Sequence, residues 1–150
     1  MVLNQPHNVD MEIKLKLLAD YANTTPEGKL NIMGVFDIIN PPMLPYHHPQ
    51  MYLVISYDAS STEAGQDKNA RVVLLDADGR QMLALEQQIR VSQPERPGMR
   101  VQLNQIVGLA GVRFAKAGDY QFSILVSGEE KGTVPFHVNG PPGPTGVDVP

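Results

Sequence analysis

The segment that decides the fold class is Val112-Arg-Phe-Ala-Lys-Ala-Gly-Asp-Tyr-Gln-Phe-Ser-Ile-Leu-Val-Ser-Gly128. After a Gly118-Asp119 corner, apolar residues occupy every second position, namely Tyr120, Phe122, Ile124 and Val126. A period of two is that of a β-strand with one buried face. Ser127-Gly128 then offers a turn, and residues 133–138 are typical of a returning strand. The segment therefore predicts the closing hairpin of an antiparallel sheet.

Similar apolar runs occur along the rest of the chain, separated by turns in which many of the 13 Gly and 13 Pro residues lie. The runs are residues 12–21, 29–39, 50–57, 71–75, 81–85 with a continuation to 91, and 100–107. Short runs with dense turn signals favour an all-β fold. We expect an antiparallel two-sheet β-sandwich of immunoglobulin- or fibronectin-like type with roughly eight strands.

Individual runs carry further expectations. In the first, Ile13, Leu15, Leu17, Ala19 and Tyr21 share one face while Lys14 and Lys16 face the other way, which favours a strand half exposed to water over a helix. The second run is expected to pair with it as a hairpin, with Gly34 at a bulge or a close backbone crossing. Residues 50–57 are apolar on both faces and indicate a central strand or a second covered face. Asp78-Gly79 predicts a hairpin turn. The polar residues 58–69 predict a mobile loop, and Gly108–Gly111 is expected to break the strand that precedes it.

Length and turn signals predict one folded domain over residues 11–139. Residues 1–10 are expected to form a flexible arm, and the Pro/Gly-rich residues 140–150 an extended tail or an arm that docks on a neighbouring subunit. Residues 40–49 are Pro-rich and predict a connection over the end of the sandwich.

Composition excludes several functional classes. The net charge of −4 without a basic cluster disfavours binding to nucleic acid or to an anionic membrane surface. The absence of Cys excludes disulfides and thiolate chemistry. The start of the chain has no signal-peptide pattern and no run is long enough to span a membrane, so we expect a cytoplasmic protein.

No catalytic motif stands out, and we expect no catalytic, cofactor-binding or metal site. His47-His48 is the only paired histidine, and it would need a third ligand such as His7 or His137. Asp76-Ala-Asp78-Gly79 resembles the start of a calcium loop but fits a plain hairpin better. Asp20 and Asp37 end the first two strands and could form an acid/base pair or cap turns.

An apolar, rigid loop is good interface material, because proline loses little entropy on binding. The predicted interface residues are Pro41, Pro42, Met43, Tyr46, His47, His48, Pro141, Pro142 and Val147. The same loop could instead fold back over the sandwich end. We therefore expect a non-enzymatic module for protein contact, with self-association as its mode and no small-molecule ligand. The alternatives are a carbohydrate-binding module that uses residues 58–69 with Tyr57 or Tyr46, and a metal-dependent hydrolase.

Four segments resemble a family of small bacterial proteins of unknown function, DUF6941. They are Ala19-Asp-Tyr-Ala22, Gly28-Lys-Leu-Asn-Ile-Met-Gly-Val-Phe-Asp37, Val73-Leu-Leu-Asp-Ala-Asp-Gly79 and Gly118-Asp-Tyr-Gln-Phe122. The resemblance covers most of residues 12–138; it implies a β-sandwich and transfers no activity. Gly118 and Tyr120 also resemble the tyrosine corner of immunoglobulin-like sandwiches, in which the hydroxyl satisfies a main-chain group of the preceding connection.

Overall fold

A computed structural model describes residues 11–142 of the chain. These residues form nine strands and one short 3₁₀ turn, Ser61–Glu63. The strands are β1 (Glu12–Thr24), β2 (Leu30–Phe36), β3 (Ile38–Ile39), β4 (Tyr46–Ala59), β5 (Asp67–Leu75), β6 (Gln81–Arg90), β7 (Val101–Phe114), β8 (Gly118–Val126) and β9 (Glu129–Val138). The all-β prediction is confirmed. The described range contains no helix that could cross a membrane.

The strands form two sheets, one of four strands in the order β2-β1-β4-β7 and one of five in the order β3-β9-β8-β5-β6. All pairs are antiparallel except β3 with β9. The predicted hairpins β1–β2, β5–β6 and β8–β9 are present. β3 was not predicted, because two residues at the end of an apolar run carry no periodicity of their own. It begins where the chain passes from the first sheet to the second at Asp37.

One hydrophobic core contains side chains from both sheets. The four-stranded sheet contributes Leu53 and Ile55, and the five-stranded sheet contributes Leu74 and Phe122, all fully buried. β4 lies between β1 and β7, as its two apolar faces predicted. Val54, on its other face, is also fully buried, and Leu17 and Ile106 flank it in the neighbouring strands.

Aromatic rings close the core beside the connection between β7 and β8. Phe114 and Tyr120 meet edge to face with ring centroids 5.0 Å apart, and Phe136 stacks on Phe122 at 5.6 Å. The ring of Tyr120 is buried, and its hydroxyl donates a hydrogen bond of 2.6 Å to the carbonyl of Lys116. Burial raises the pKa of this hydroxyl. The bond satisfies a main-chain group that the connection leaves outside the ladders.

A polar bridge crosses the core at another point. The Tyr57 hydroxyl donates to Oε1 of Gln105 at 2.6 Å, and Nε2 of Gln105 donates to Oε1 of Gln87 on the opposite sheet at 3.2 Å. Tyr57 is 0% exposed and Gln105 4% exposed. Burial raises the pKa of Tyr57, because the phenolate would lose its hydration there.

Strand boundaries differ from prediction in three places. β4 begins at Tyr46, inside the predicted Pro-rich connection. Its first residues pair with β7, whereas pairing with β1 ends at Tyr52, so one edge there is open and tolerates Pro49. β7 continues through the predicted break, because β4 pairs with it over its whole length. A Cβ at Gly108 would lie 3.1 Å from the ring of Tyr52, a tight contact that glycine avoids.

The predicted mobile loop of residues 58–69 is more structured than its polarity suggests. β4 runs to Ala59 and β5 begins at Asp67, with the 3₁₀ turn between them. The Glu63 side chain is buried; its Oε1 accepts from the Ser60 main-chain N–H at 3.0 Å, and its Oε2 pairs with Lys68 at 2.9 Å. Ser60 in turn caps the 3₁₀ turn.

Candidate functional site

The apolar alternation of β1 is present, but it faces away from the core. A bulge between Ile13 and Leu15 reverses the order of faces, so that Ile13 packs against the core while Leu15 and Leu17 do not. Leu18, between the predicted apolar positions, is the core residue at 1% exposed. Leu15, Leu17 and Tyr21 therefore lie on the outer face of the sheet. The prediction that Ile13 shares their face is wrong, because the bulge shifts the period by one residue.

The neighbouring strands continue this apolar outer face. Cross-strand partners in the ladder share a face, and the register pairs Tyr21 with Met33, Ala19 with Val35 and Tyr52, and Leu17 with Val54. We call this surface the outer patch. It consists of Leu15, Leu17, Ala19, Tyr21, Met33, Val35, Tyr52, Val54 and Ile106, none of which is charged.

Exposure within the outer patch increases towards β2, the edge strand of the sheet. Met33 is 65% exposed and Val35 62% exposed, whereas Val54 in the centre is 0% exposed. Tyr21 is 44% exposed and packs edge to face on Tyr52, with ring centroids 5.2 Å apart. Large apolar side chains exposed side by side are uncommon on monomers and mark contact surfaces.

Uncharged polar residues border the outer patch at both ends. At one end Asn31 donates to Asn23 at 3.0 Å, and Gln50 donates to the Tyr52 hydroxyl at 2.6 Å. At the other end Gln102 donates to Ser56 at 2.9 Å. An apolar centre with a polar rim is the usual anatomy of a protein–protein interface.

Gly34 approaches the side chain of Asp20 on the neighbouring strand β1. Its φ of 71° is in the left-handed region, and a Cβ there would collide with the side chain of Asp20. The register with β1 continues past it without a shift. The expected close approach is therefore present, although a side chain rather than a crossing backbone makes it.

The interface residues predicted from the Pro-rich segment occupy different environments. Pro42, Met43 and His47 are exposed, whereas Pro41 is buried and Tyr46 and His48 are half-buried. Pro41 and Pro42 line a small cleft with Asn40, Asn139 and Pro142, and Nδ2 of Asn139 donates to Oδ1 of Asn40 at 2.7 Å. Pro141 is exposed, and Val147 lies outside the described residues together with His7 and most of both arms.

The two adjacent histidines are separated by packing. His47 is exposed, while His48 contacts the rings of Phe36 and Tyr46 with centroids 5.9 and 5.7 Å away. Burial lowers the pKa of His48, and the nearby Asp20 charge only partly opposes this. His137 lies on β9, where its Nδ1 is 2.7 Å from Oδ1 of Asp119. These three side chains are not brought together.

The carboxylates named from the sequence serve turns or line an open cleft. Oδ1 of Asp76 accepts from the main-chain N–H groups of Asp78 and Arg80, both at 2.9 Å, which is the predicted hairpin turn. Asp37, Asp76 and Asp119 line a cleft of about 580 Å³. No group of three His, Asp or Glu residues within residues 11–142 is arranged to hold a metal ion.

Tyr57, one of the two tyrosines considered for carbohydrate binding, is unable to contact a ligand, because it is fully buried in the core.

The sequence alone does not predict the outer patch. Alternation predicts that its β1 residues share one apolar face, but it does not tell which face of a strand meets the second sheet. Apolar residues on both faces of residues 50–57 were the available signal.

Comparisons with known proteins identify the family of the chain. A search of the curated proteins finds no match. Among solved structures, the chain is similar to the Pseudomonas fluorescens alkylpurine DNA glycosylase AlkC bound to DNA containing an abasic site analog, with 13% identity and a TM-score of 0.48. The likeness covers 87% of this chain but only 30% of that one. Residues 14–139 match the model of DUF6941, a family of unknown function, and the chain therefore belongs to that family, as its motifs suggested.

Proposed function

We propose that this protein is a non-enzymatic contact module that self-associates, and that a second copy binds at the β2 side of the outer patch, where Met33 and Val35 are exposed. The observation that carries the proposal is the contiguous uncharged surface of Leu15, Leu17, Tyr21, Met33 and Val35, with its exposure concentrated at Met33 and Val35. Transfer of such side chains out of water is favourable at about 25 cal/mol per Å².

A second copy is the occupant that the chemistry of the patch favours. A two-fold interface brings residues near their own copies, so a charge close to the axis would meet a like charge. The outer patch carries no charge, and its borders are amides and hydroxyls, which can donate to and accept from themselves.

The accessible part of the outer patch is concentrated at Tyr21, Met33 and Val35, whereas Ala19 and Val54 are 0% exposed. A standard interface buries about 800 Å² per partner, so these side chains would form its apolar centre and the polar border part of its rim.

We also propose that the two sheets form a sandwich of immunoglobulin-like type. The hydrogen bond from the Tyr120 hydroxyl to the carbonyl of Lys116 supports this, because it is the bond of a tyrosine corner. In that case the outer patch is the solvent side of one sheet, and its position is independent of the loops at the sandwich ends.

The test is the mass of the full chain in solution, measured by light scattering over a concentration series. Met33→Lys places a charge in the outer patch and is expected to dissociate the assembly. Met43→Lys is the matched control, since both methionines are 65% exposed and Met43 lies in the Pro-rich connection. A wild-type chain that is monomeric throughout would refute self-association. Dissociation by Met43→Lys alone would move the interface to the connection.

A further inference from the structure

β2 is an edge strand of the four-stranded sheet, because within residues 11–142 it pairs with β1 alone. The turn that leads into it contacts β7, where Nδ2 of Asn104 donates to the Gly28 carbonyl at 3.1 Å. Its seven residues, Leu30–Phe36, include no charge and no proline. Proteins commonly protect such edges with Lys, Pro or a covering segment. The edge strand also carries the two most exposed residues of the outer patch, Met33 and Val35.

The hairpin geometry identifies which main-chain groups of β2 are available. The Thr25 N–H donates to the Lys29 carbonyl at 2.8 Å, so this pair is hydrogen-bonded. In an antiparallel ladder bonded pairs alternate, and with the observed register the bonded residues of β2 are Asn31, Met33 and Val35. The outward-pointing groups therefore belong to Leu30, Ile32, Gly34 and Phe36.

The opposite charges at the two ends of β2 indicate which kind of strand would pair with it. Lys29 and Asp37 lie equally far from Met33 along the chain, on either side of the uncharged strand. Both are exposed, and neither forms an ion pair with another side chain in the described part of the chain. A strand with opposite charges at its ends is complementary to its own antiparallel copy.

We propose that β2 pairs antiparallel with β2 of a second copy, with the two-fold axis at Met33, so that Lys29 of each copy faces Asp37 of the other. In this register Ile32 pairs with Gly34 and Leu30 with Phe36, which are the residues with outward main-chain groups. If the two-fold axis lay at Ile32 instead of Met33, Asp37 of one copy would lie opposite Glu27 of the other. These two carboxylates would repel each other, so the register centred on Met33 is favoured. The inference rests on the proposed self-association and specifies its geometry.

Pairing at this edge joins the two four-stranded sheets into one of eight strands. Met33 then lies beside its own copy, and Val35 lies beside Asn31, so the most exposed apolar residues gain cross-strand neighbours. Gly34 is the residue of β2 whose φ is positive. Because glycine moves between positive and negative φ at little cost, it can adjust when the ladder forms.

Charge reversal tests the register directly. Lys29→Glu would place a carboxylate opposite Asp37, and Asp37→Lys would place an ammonium group opposite Lys29, so each single variant is expected to raise the dissociation constant roughly tenfold at low salt. The double variant restores opposite charges and is expected to regain most of the affinity. A mixture of the two single variants is expected to form heterodimers in preference to either homodimer. Lys116→Glu, on an exposed turn, controls for the change in net charge.

Sedimentation over a concentration series and native mass spectrometry of the mixture provide the readouts. Restoration in the double variant together with heterodimer preference supports the register. If both single variants associate like the wild type while Met33→Lys dissociates, the register is wrong and self-association stands. If the wild type is monomeric at every concentration, both proposals fall.

Discussion

The buried Tyr57–Gln105 pair allows a direct test of how polar groups are held in this core. Removing the Tyr57 hydroxyl leaves Oε1 of Gln105 without its donor in a place water does not reach, since the two residues are 0% and 4% exposed. An unsatisfied buried acceptor costs about 1–3 kcal/mol. Tyr57→Phe is therefore expected to lower the free energy of unfolding by about that amount.

The same strand offers a matched control. The hydroxyl of Tyr52 also hydrogen-bonds a glutamine at 2.6 Å, but this pair with Gln50 is at the surface. Water can replace the lost partner there, so Tyr52→Phe is expected to cost less than about 0.5 kcal/mol. The two substitutions remove the same atom, and the difference between them measures the effect of burial.

A double-mutant cycle completes the experiment. In Tyr57→Phe/Gln105→Leu both buried partners become apolar, and Gln87, which is exposed, can turn to water. The double variant is expected to be more stable than Tyr57→Phe alone, because replacing both partners is close to neutral. Urea unfolding followed by circular dichroism at one fixed protein concentration is the assay. Equal losses in Tyr57→Phe and Tyr52→Phe, or additive losses in the cycle, would refute the reasoning.

Two further predictions concern backbone geometry and pH. Gly34→Ala and Gly79→Ala both place Ala at a positive φ, which costs about 1–2 kcal/mol. The two sites differ in space: a Cβ at Gly34 would meet the Asp20 side chain, whereas a Cβ at Gly79 would meet nothing within 4 Å. Gly34→Ala is thus expected to lose at least about 1 kcal/mol more in urea unfolding, and equal losses would contradict the close approach. Burial lowers the pKa of His48 below its usual value near 6.5, because the folded protein disfavours the charged imidazole. The unfolded chain therefore binds a proton at this residue more readily. The free energy of unfolding is unaffected by this difference above pH 6.5 and decreases as the pH falls below it. His48→Gln should flatten the change in urea midpoint between about pH 7.5 and 5.5, whereas His47→Gln at the exposed neighbour should leave it unchanged; the reverse pattern would contradict this assignment.

Much of the fold was predictable from the sequence where local signals and tertiary structure agree. The Gly118-Asp119 corner, the alternation after it and the Asp78-Gly79 turn each lie within one hairpin, so neighbouring residues specify them. The apolar faces of residues 50–57 placed β4 in the centre of its sheet. The prediction failed at Gly108–Gly111, where pairing with β4 carries a strand across residues that favour a break.

The candidate site was less predictable, because it depends on which face of a strand meets the other sheet. The extra residue at Lys14 forms a bulge that separates Ile13 from Leu15 by face, although their spacing in the sequence puts them together. The separation of His47 from His48 likewise depends on a contact with another strand, since His48 packs against Phe36 of β2.

The sequence alone determined the all-β class, the turns, the family and the absence of cysteine chemistry, since each depends on residue type and short-range periodicity. Tertiary structure alone decided that Leu15, Leu17 and Tyr21 face outwards, that Val35 joins them from β2, and that an uncharged edge strand is left open. The physical reason is that periodicity fixes which residues share a face, whereas the packing of one sheet on another decides which face is removed from water.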